Sequence, residues 1–506
     1  MRLVTFLILW SLLFLTQRSH PFIDPGSFWH VTVGERILTD GLPHTDECTF
    51  TFHGEHWIAQ QWLAECLMAL LHRVSGHDSL LVGMATLLAA LFTGLTLRFQ
   101  RAGFRWPLAL TLTCGCMFVC SFHFFCRPHL LTLALMGWSF AVLTDIENGR
   151  LKSRWLACLI PVCVLWTNLH GGVVAGVATF GLCVLGWGLW ARLGWPSPVR
   201  SYRSFGLLCL AVLACLLTPV INPYGTDLLR TWWEIIGSPV LKQIVPEHTP
   251  MNLARSGDKA VAGFALVYLA ALAGVRQRPR VTWLVPLVWL ALTIQSIRQG
   301  PIFCVLAAIA IAEMLPATVW LRWLRRAGDS LVRPDDQPPP SDVLKVRDVL
   351  IPGALIGTLL ALQSGGVADG WVRYDPRYVP VGLREELVDY ARQRPEGTPI
   401  LNDSGFGGYL IHTTPRLRVF IDDRCELYTD EFLLDYVRVM EREPEGIEAW
   451  AREYGFERAL VARGSPADRY LAGSPRWKEE ARDRAAVLYS RLTEADSASR
   501  TSSSID

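Results

Sequence analysis

Residues 79–97 read SLLVGMATLLAALFTGLTL, an uncharged run that ends at Arg98. A helix needs about 20 predominantly apolar residues to cross the hydrocarbon core of a bilayer, so this run predicts a transmembrane helix. Comparable runs recur between residues 1 and 364. Of the 506 residues, 51% are hydrophobic and 19% are charged, whereas an ordinary soluble domain has roughly 25% charged residues. The sequence therefore predicts an α-helical polytopic membrane protein.

The apolar runs predict about eleven spans, near residues 3–17, 79–97, 107–125, 129–144, 155–168, 172–191, 206–221, 260–275, 281–295, 301–316 and 348–364. The first run resembles a signal peptide. No small-residue cleavage site follows it, which favours an uncleaved first helix.

Basic residues between the spans indicate the orientation, because cytoplasmic loops are enriched in Lys and Arg. With the N-terminus inside, every second connection carries a basic cluster: Arg98/Arg101/Arg105, Arg150/Lys152/Arg154, Arg192/Arg200/Arg203, Arg276/Arg278/Arg280 and Arg322/Arg325/Arg326. The intervening outer hairpins carry single basic residues. An odd number of spans then predicts a C-terminal domain outside the cytoplasm.

The composition divides the chain into a membrane part and a soluble part. Residues 1–364 are the predicted transmembrane domain, with outer loops at 18–78 and 222–258. A proline-containing stretch at 317–347 is predicted to be a cytoplasmic linker. Residues 365–495 are predicted to form a small extracytoplasmic α/β domain, and the Ser-rich residues 496–506 a disordered tail.

Inside the C-terminal domain, apolar patterns predict a helix at 430–440 and strands at 399–401, 418–421, 458–461 and 486–489. Gly405, Gly407 and Gly408 lack the spacing of a phosphate-binding loop. They predict instead a turn that permits close packing.

The first outer loop has its own elements. Ser27 is the predicted N-cap of a helix that ends at Gly41. Residues 48–52 alternate Cys and Phe with Thr and predict a strand, and a second amphipathic helix is predicted at 58–71. A disulfide between Cys48 and Cys66 is one option, and free thiols are the favoured one.

Ionisable residues lie, by this topology, at the outer mouths of the spans: Asp24, His30, Arg127, His129, His170 and Arg298. Charges near the hydrocarbon boundary are costly and often functional. One interpretation is a cationic pocket for a lipid phosphate, with Asp24 beside it to move a proton. The alternative is that Arg127 and Arg298 only snorkel to headgroup phosphates, while His30 and His129 are structural. A divalent metal held by Asp24 and His30 is a weaker option.

Short motifs then occur in a consistent order: DPGSFWH at 24–30, GERI at 34–37, PHTD at 43–46, RPH at 127–129, WTNLHGG at 166–172, NPYG at 222–225 and Ile297-Arg298. GGYL at 407–410 and VFIDDR at 419–424 follow in the C-terminal domain. Together they resemble bacterial membrane proteins related to the GT-C class of glycosyltransferases, over nearly the whole chain.

The resemblance implies an inverting glycosyltransferase of the bacterial cytoplasmic membrane. GT-C enzymes take the sugar from a polyprenyl-phosphate carrier on the outer side, and an acid in the first outer loop is their usual catalytic residue. Asp24 matches that acid, and the phosphate of the carrier is assigned to Arg127, His129, His170 and Arg298. Residues considered for a glycan or protein acceptor are His30, Asp46, Tyr224, Asp422 and Arg424. For the stretch Asp422-Asp423-Arg424, which follows a predicted strand, the alternatives are an acceptor site, a metal site and a structural ion pair.

One departure from the relatives is Gln60-Gln61, where a His-Glu pair is frequent. It weakens a metal site at that position and leaves a non-catalytic, glycan-binding relative as one alternative. A transporter of lipid-linked glycans is another, although such proteins tend to have internal repeats and midplane sites, which the sequence does not show. The net charge of +2 gives no reason to expect nucleic acid as a partner.

Overall fold

The computed structural model describes residues 1–244, 246–321, 323, 331–333, 346–364 and 370–492. Most of the predicted linker at 317–347 and the whole predicted tail at 496–506 lie outside the described residues.

The membrane part is built mainly of helices. In chain order they are α1 (Arg2–Thr16), α2 (Gly26–Asp40), α3 (Trp62–Arg101), α4 (Trp106–Cys120), α5 (His129–Glu147), α6 (Leu159–Leu169), α7 (Val173–Arg192), α8 (Tyr202–Leu217), α9 (Asp227–Gly237), α10 (Leu241–Ile244), α11 (Ser256–Ala273), α12 (Val281–Gln295), α13 (Gly300–Met314) and α14 (Val346–Ser364).

Within the described residues, seven helical stretches are long and apolar enough to cross a membrane: Trp62–Arg101, Trp106–His123, His129–Glu147, Val173–Arg192, Tyr202–Val220, Ser256–Ala273 and Ile297–Ala317. Shorter apolar helices cover Arg2–Thr16, Ser153–Leu169 and Val281–Gln295. These helices support a multi-pass membrane protein. The number of eleven spans stays a prediction.

One end of the helical bundle carries a buried ion network. The Arg98 guanidinium, near the end of α3, lies 2.7 Å from the Asp145 carboxylate of α5 and 3.1 Å from that of Glu313 on α13. Arg150 joins the same two carboxylates. The basic connections after α3 and α5 therefore lie at one end, as their charge pattern predicts. That this end faces the cytoplasm stays a prediction.

The C-terminal domain contains a five-stranded sheet of order β2-β1-β3-β5-β4. β1 (Thr398–Asn402) pairs in parallel with β2 (Leu417–Val419) and β3 (Arg458–Ala462). β5 (Ala486–Arg491) pairs antiparallel with β3 and with β4 (Trp477–Arg482). The helices are α15 (Arg384–Gln393), α16 (Ser404–Thr413), α17 (Asp430–Glu441), α18 (Ile447–Tyr454) and α19 (Pro466–Gly473). The four predicted strands and the predicted helix at 430–440 all form. β4 was not predicted, because most of its residues are polar or charged and it lies at a sheet edge.

Two local predictions in the first outer loop are wrong, and a third is confirmed. Ser27 does not cap α2; it lies inside the helix and its hydroxyl donates to the Pro21 carbonyl. Residues 48–52 form no strand among the described elements, because only Thr49 pairs with the sheet, at Val419. The second amphipathic helix is confirmed: it begins at Trp62, and a kink with non-helical backbone separates it from the following span. Both belong to α3, which bends at Ser75 and Gly76, where Gly76 adopts a φ of 59° that favours glycine.

The glycines of the GGYL motif lie in α16, where the sequence predicts a turn. The predicted close packing is nevertheless present. A Cβ on Gly408 would lie 2.2 Å from the Pro25 carbonyl oxygen, and one on Gly407 would lie 2.3 Å from the Ile421 carbonyl oxygen. α16 therefore rests directly on the start of α2 and on the chain that follows β2.

Gly408→Ala is expected to destabilise the protein by about 1–3 kcal/mol, the usual cost of overpacking a rigid contact. The added methyl group meets backbone, which cannot rotate away. The measurement is the thermal unfolding midpoint of the full chain in detergent. Gly405→Ala is the matched control in the same helix, since its nearest neighbour would be the Asp403 carboxylate at 3.8 Å. Equal midpoints for the two variants would contradict the contact.

Candidate functional site

Asp24 lies in the turn that precedes α2, and its carboxylate accepts a hydrogen bond from Nε of Arg127. Arg127 lies between α4 and α5, and the preceding Cys126 is tied by its backbone N–H to the Pro21 carbonyl at 3.1 Å. A Cβ on Gly26 would lie 2.4 Å from Arg127 Nε. The glycine of the DPGSFWH motif therefore allows the guanidinium to reach Asp24.

The C-terminal domain contributes a second carboxylate. Asp423 Oδ2 accepts from Arg127 Nη2 at 2.6 Å, and its Oδ1 accepts from Trp29 Nε1 at 2.7 Å. Asp24 is 7% exposed, whereas the side chains of Arg127 and Asp423 are 19% and 20% exposed. The site is therefore a nearly buried acid behind a more open guanidinium and a second acid. From the sequence, Asp423 was considered together with Asp422 and Arg424 for an acceptor or a metal, and its contact with Arg127 was not predicted.

Burial controls the protonation of both acids. It raises the pKa of Asp24 and of Asp423 above the ordinary aspartate value, although the charge of Arg127 opposes the shift in both. Glu247 of the second outer loop adds to the rise at Asp24. Burial also favours a higher pKa for Glu247 itself, but nearby His123, Arg127 and Arg298 outweigh it and lower that pKa. Glu247 was not predicted, because the fold alone brings the second outer loop to this position.

His170 is held by a chain of hydrogen bonds. Trp166 Nε1 donates to Thr132 Oγ1 at 2.8 Å, and Thr132 Oγ1 lies 2.9 Å from His170 Nδ1, which also accepts from the Gly172 N–H at 2.9 Å. An Nδ1 that accepts from a backbone N–H leaves the ring proton on Nε2. Burial, and then Arg298, lower the pKa of His170 to about 3, so the ring is a neutral donor.

The other residues assigned to the lipid phosphate differ in their availability. Arg298 Nη1 lies 2.8 Å from His248 Nε2 at the mouth of α13. Nε2 of His129 lies 3.0 Å from the His123 carbonyl oxygen. The rings of His129 and His123 are stacked, with their centroids 4.6 Å apart. The arrangement favours the structural interpretation of His129.

His30 pairs with Glu65 and not with Asp24. Its Nδ1 lies 2.9 Å from Glu65 Oε1, and both side chains are buried. This favours a structural hydrogen bond over a metal ligand or an acceptor contact for His30. Cys48 and Cys66 are both free thiols, so the optional disulfide is absent.

Arg424 is the centre of a second, fully buried cluster. Its guanidinium contacts Asp422 and Asp46, each at 2.7 Å, and lies over the Trp57 ring at 4.6 Å. Burial favours a higher pKa for Asp46, but Arg424 and hydrogen bonds from Thr49 outweigh it and lower the pKa. Both Asp46 and Asp422 have no exposed side-chain surface. The pairing of both carboxylates with Arg424 favours a structural ion pair over direct contact with an acceptor.

Tyr224 is also part of the scaffold. Its hydroxyl accepts from the Ala59 N–H at 3.3 Å, and the residue is 7% exposed. It ties the second outer loop to the first.

Comparisons with known proteins concern the fold. No protein-family model matches the sequence, and no curated protein matches it significantly. Among solved structures, the archaeal oligosaccharyltransferase AglB from Archaeoglobus fulgidus, in complex with an inhibitory peptide and a dolichol-phosphate, matches with a TM-score of 0.55 at 11% identity. That match covers 91% of this chain and 69% of AglB.

Two further solved structures match nearly the whole of this chain. ArnT from Cupriavidus metallidurans, bound to undecaprenyl phosphate, has a TM-score of 0.52 at 13% identity and covers 97% of this chain and 98% of its own. The arabinofuranosyltransferase AftD from Mycobacteria has a TM-score of 0.53 at 15% identity, with 97% of this chain and 40% of AftD covered. The chain therefore has the fold of the GT-C class of membrane glycosyltransferases, as the resemblance in its sequence implied.

Proposed function

We propose that this protein is a membrane glycosyltransferase that moves a sugar from a polyprenyl-phosphate carrier to an acceptor on the extracytoplasmic face. The observation that carries the proposal is the contact of Asp24, Arg127 and Asp423, in which the first outer loop, a span mouth and the C-terminal domain meet. Two solved structures with this fold hold a polyprenyl-type phosphate, undecaprenyl phosphate in ArnT and a dolichol-phosphate in AglB.

Asp24 is proposed as the general base. Its carboxylate takes the proton of an acceptor hydroxyl while the acceptor oxygen attacks the anomeric carbon of the sugar. The bond between that carbon and the phosphate oxygen breaks, and polyprenyl phosphate leaves with the electron pair. Attack from the face opposite the phosphate inverts the anomeric configuration. A raised pKa suits Asp24 to this role, because a base works best with a pKa near the working pH.

The leaving phosphate gains negative charge in the transition state, and donors already in place there stabilise it most effectively. Arg127 and Arg298 supply positive charge, and neutral His170 donates a hydrogen bond to the phosphate from its Nε2–H. Asp423 is proposed to position Arg127 and Trp29, because it contacts both. His129 is proposed to hold the backbone of this region and not the phosphate itself.

The experiment that tests the proposal compares lipid extracts and surface glycans of cells with and without the protein. Cells that lack it are expected to lose one glycan and to accumulate the matching polyprenyl-phosphate sugar on the outer leaflet. A transporter would instead leave the intact lipid-linked glycan on the inner leaflet. Unchanged lipids and glycans would contradict both and favour a binding role.

The transfer rate is expected to fall as the pH is lowered, with a midpoint above the ordinary aspartate pKa of about 4. A base must be ionised to act, and burial raises the pKa of Asp24. The measurement is the rate against pH at saturating donor, with unfolding monitored in parallel. Asp423→Asn is expected to move the midpoint to lower pH, since it removes a neighbouring negative charge. A rate that stays constant down to about pH 4 would rule out a base with a raised pKa.

A further inference from the structure

Three histidines meet beside α2, where Phe28 and Thr32 contact two of them. His72 and His77 flank the bend of α3, and His412 lies on α16 of the C-terminal domain. One ring nitrogen of each lies within 4.8 Å of the others. His77 is buried, and the other two are half-buried, so the cluster opens to solvent on one side.

The arrangement of the rings fits a tridentate metal site. The ring centroids of the three pairs are 4.9, 5.1 and 5.1 Å apart, and the rings are nearly perpendicular to one another. Three imidazoles on a tetrahedral Zn²⁺, with Zn–N distances of about 2.0–2.1 Å, have centroids about 5 Å apart. The ring centroids therefore already have the spacing of such a site, and the nitrogens, which lie within 4.8 Å of one another, would move closer together on binding.

Hydrogen bonds to Nδ1 of two rings leave Nε2 of each ring available to a metal ion. His77 Nδ1 lies 3.0 Å from the Tyr374 hydroxyl, and His412 Nδ1 lies 3.1 Å from the Thr32 hydroxyl. Ligand histidines almost always donate their second N–H to such a partner, which fixes the tautomer. His77 Nε2 is buried and has no hydrogen-bond partner among the described residues. A buried polar atom without a partner is unfavourable, and a metal ion would satisfy it.

The simplest alternative is a group of neutral histidines packed edge to face. Burial, and then His72, lower the pKa of His412 to about 4, so the ring is neutral at pH 7. This protonation state does not separate the two interpretations, because neutral imidazole is also the form that binds metal. The nitrogen of His77 without a partner favours the metal.

We propose that His72, His77 and His412 bind one divalent metal ion of the zinc type. Three imidazoles suit Zn²⁺, Cu²⁺ or Ni²⁺, and tetrahedral Zn²⁺ would keep a water as its fourth ligand on the open side. The ion would join α3 to α16, and thus the membrane part to the C-terminal domain that supplies Asp423. The proposal is independent of the glycosyltransferase assignment.

The test uses the full chain in detergent, with the purification tag removed and metals stripped by a chelator. Zn²⁺ alone is titrated, and bound zinc is measured by elemental analysis after gel filtration, together with the unfolding temperature. The wild type is expected to bind one ion and to unfold at a higher temperature when loaded. His412→Gln and His72→Gln are expected to weaken binding at least tenfold, and Tyr374→Phe about 10–100-fold, as is usual for such a partner.

His53→Gln is the control, because His53 is exposed in the same outer loop. It is expected to bind zinc as the wild type does. The absence of a bound ion in the wild type, or binding by His412→Gln and His72→Gln that equals the wild type, would overturn the proposal. Because His72 and His412 are half-buried, both variants are expected to fold. The unfolding temperature of each variant without metal tests this expectation.

Discussion

Asp24→Asn is expected to lower the rate of sugar transfer by about 10²–10⁴-fold, the usual contribution of a general base. The amide keeps the shape of the side chain and still accepts the hydrogen bond from Arg127, so the site is expected to remain assembled. It cannot take up the acceptor proton. The donor that accumulates in cells without the protein is the substrate for this assay. Cells with Asp24→Asn are expected to resemble cells without the protein, at equal protein levels.

The control is Asp40→Asn, which changes an exposed aspartate at the end of the same α2. Its transfer rate is expected to equal that of the wild type. Binding of the donor to Asp24→Asn, measured with the same lipid, is expected to change little, since the phosphate is assigned to other residues. If Asp24→Asn kept full transfer activity, the assignment of the base would be wrong.

Arg424→Met is expected to destabilise the protein by about 3–5 kcal/mol, the usual result of removing one partner from a buried ion pair. The variant leaves Asp46 and Asp422 buried without their cation. These carboxylates come from the first outer loop and from the chain after β2. Their repulsion is expected to separate the C-terminal domain from the membrane part, and thus to remove Asp423 from Arg127.

Thermal unfolding of the full chain in detergent measures this effect. Arg438→Met is the control, because the side chain of Arg438 is 54% exposed and pairs only near the surface, where ion pairs contribute little. The unfolding midpoint of Arg424→Lys is expected to lie between those of Arg424→Met and Arg438→Met, because Lys keeps the charge but loses the bidentate contact with Asp422. An Arg424→Met midpoint equal to that of Arg438→Met would contradict the role of this cluster.

The Arg424 cluster and the Asp24 site are adjacent, and Trp29 contacts both. Trp29 donates to Asp423 and lies with its ring 5.9 Å from the Arg424 guanidinium. The two adjacent aspartates of the motif therefore point to different partners, Asp422 to Arg424 and Asp423 to Arg127. The segment Asp422-Asp423-Arg424 therefore stabilises the contact between the domains and also positions Arg127 at the proposed reaction site.

Much of the fold follows from local patterns. Apolar length predicts the spans, and charge predicts which connections meet, as Arg98 and Arg150 do. Short apolar runs predict β1, β2, β3 and β5, whereas β4 is missed because most of its residues are charged. The predicted strand at 48–52 fails because bonds between Asp46 and the following backbone curl the chain into a turn.

Only part of the candidate site could be predicted from the sequence. Asp24 and Arg127 were predicted because both lie at span mouths, which topology alone brings to one face. The contact between Arg127 and Asp423 joins residues 296 positions apart, and no pattern in the sequence indicates it. Glu65 is likewise buried against His30, and the pattern of the predicted amphipathic helix does not indicate this contact. A hydrophobic stripe shows which face is buried but not which polar residue is buried with it.

The most direct test of the proposed function follows the carrier itself. The purified full chain, in liposomes made with lipid extract from cells that lack it, is supplied with acceptor material, and free polyprenyl phosphate is measured by mass spectrometry. We expect the wild type to release polyprenyl phosphate together with a glycosylated acceptor, and Asp24→Asn to release neither. Movement of the intact lipid-linked sugar across the bilayer, without release of polyprenyl phosphate, would contradict a transferase.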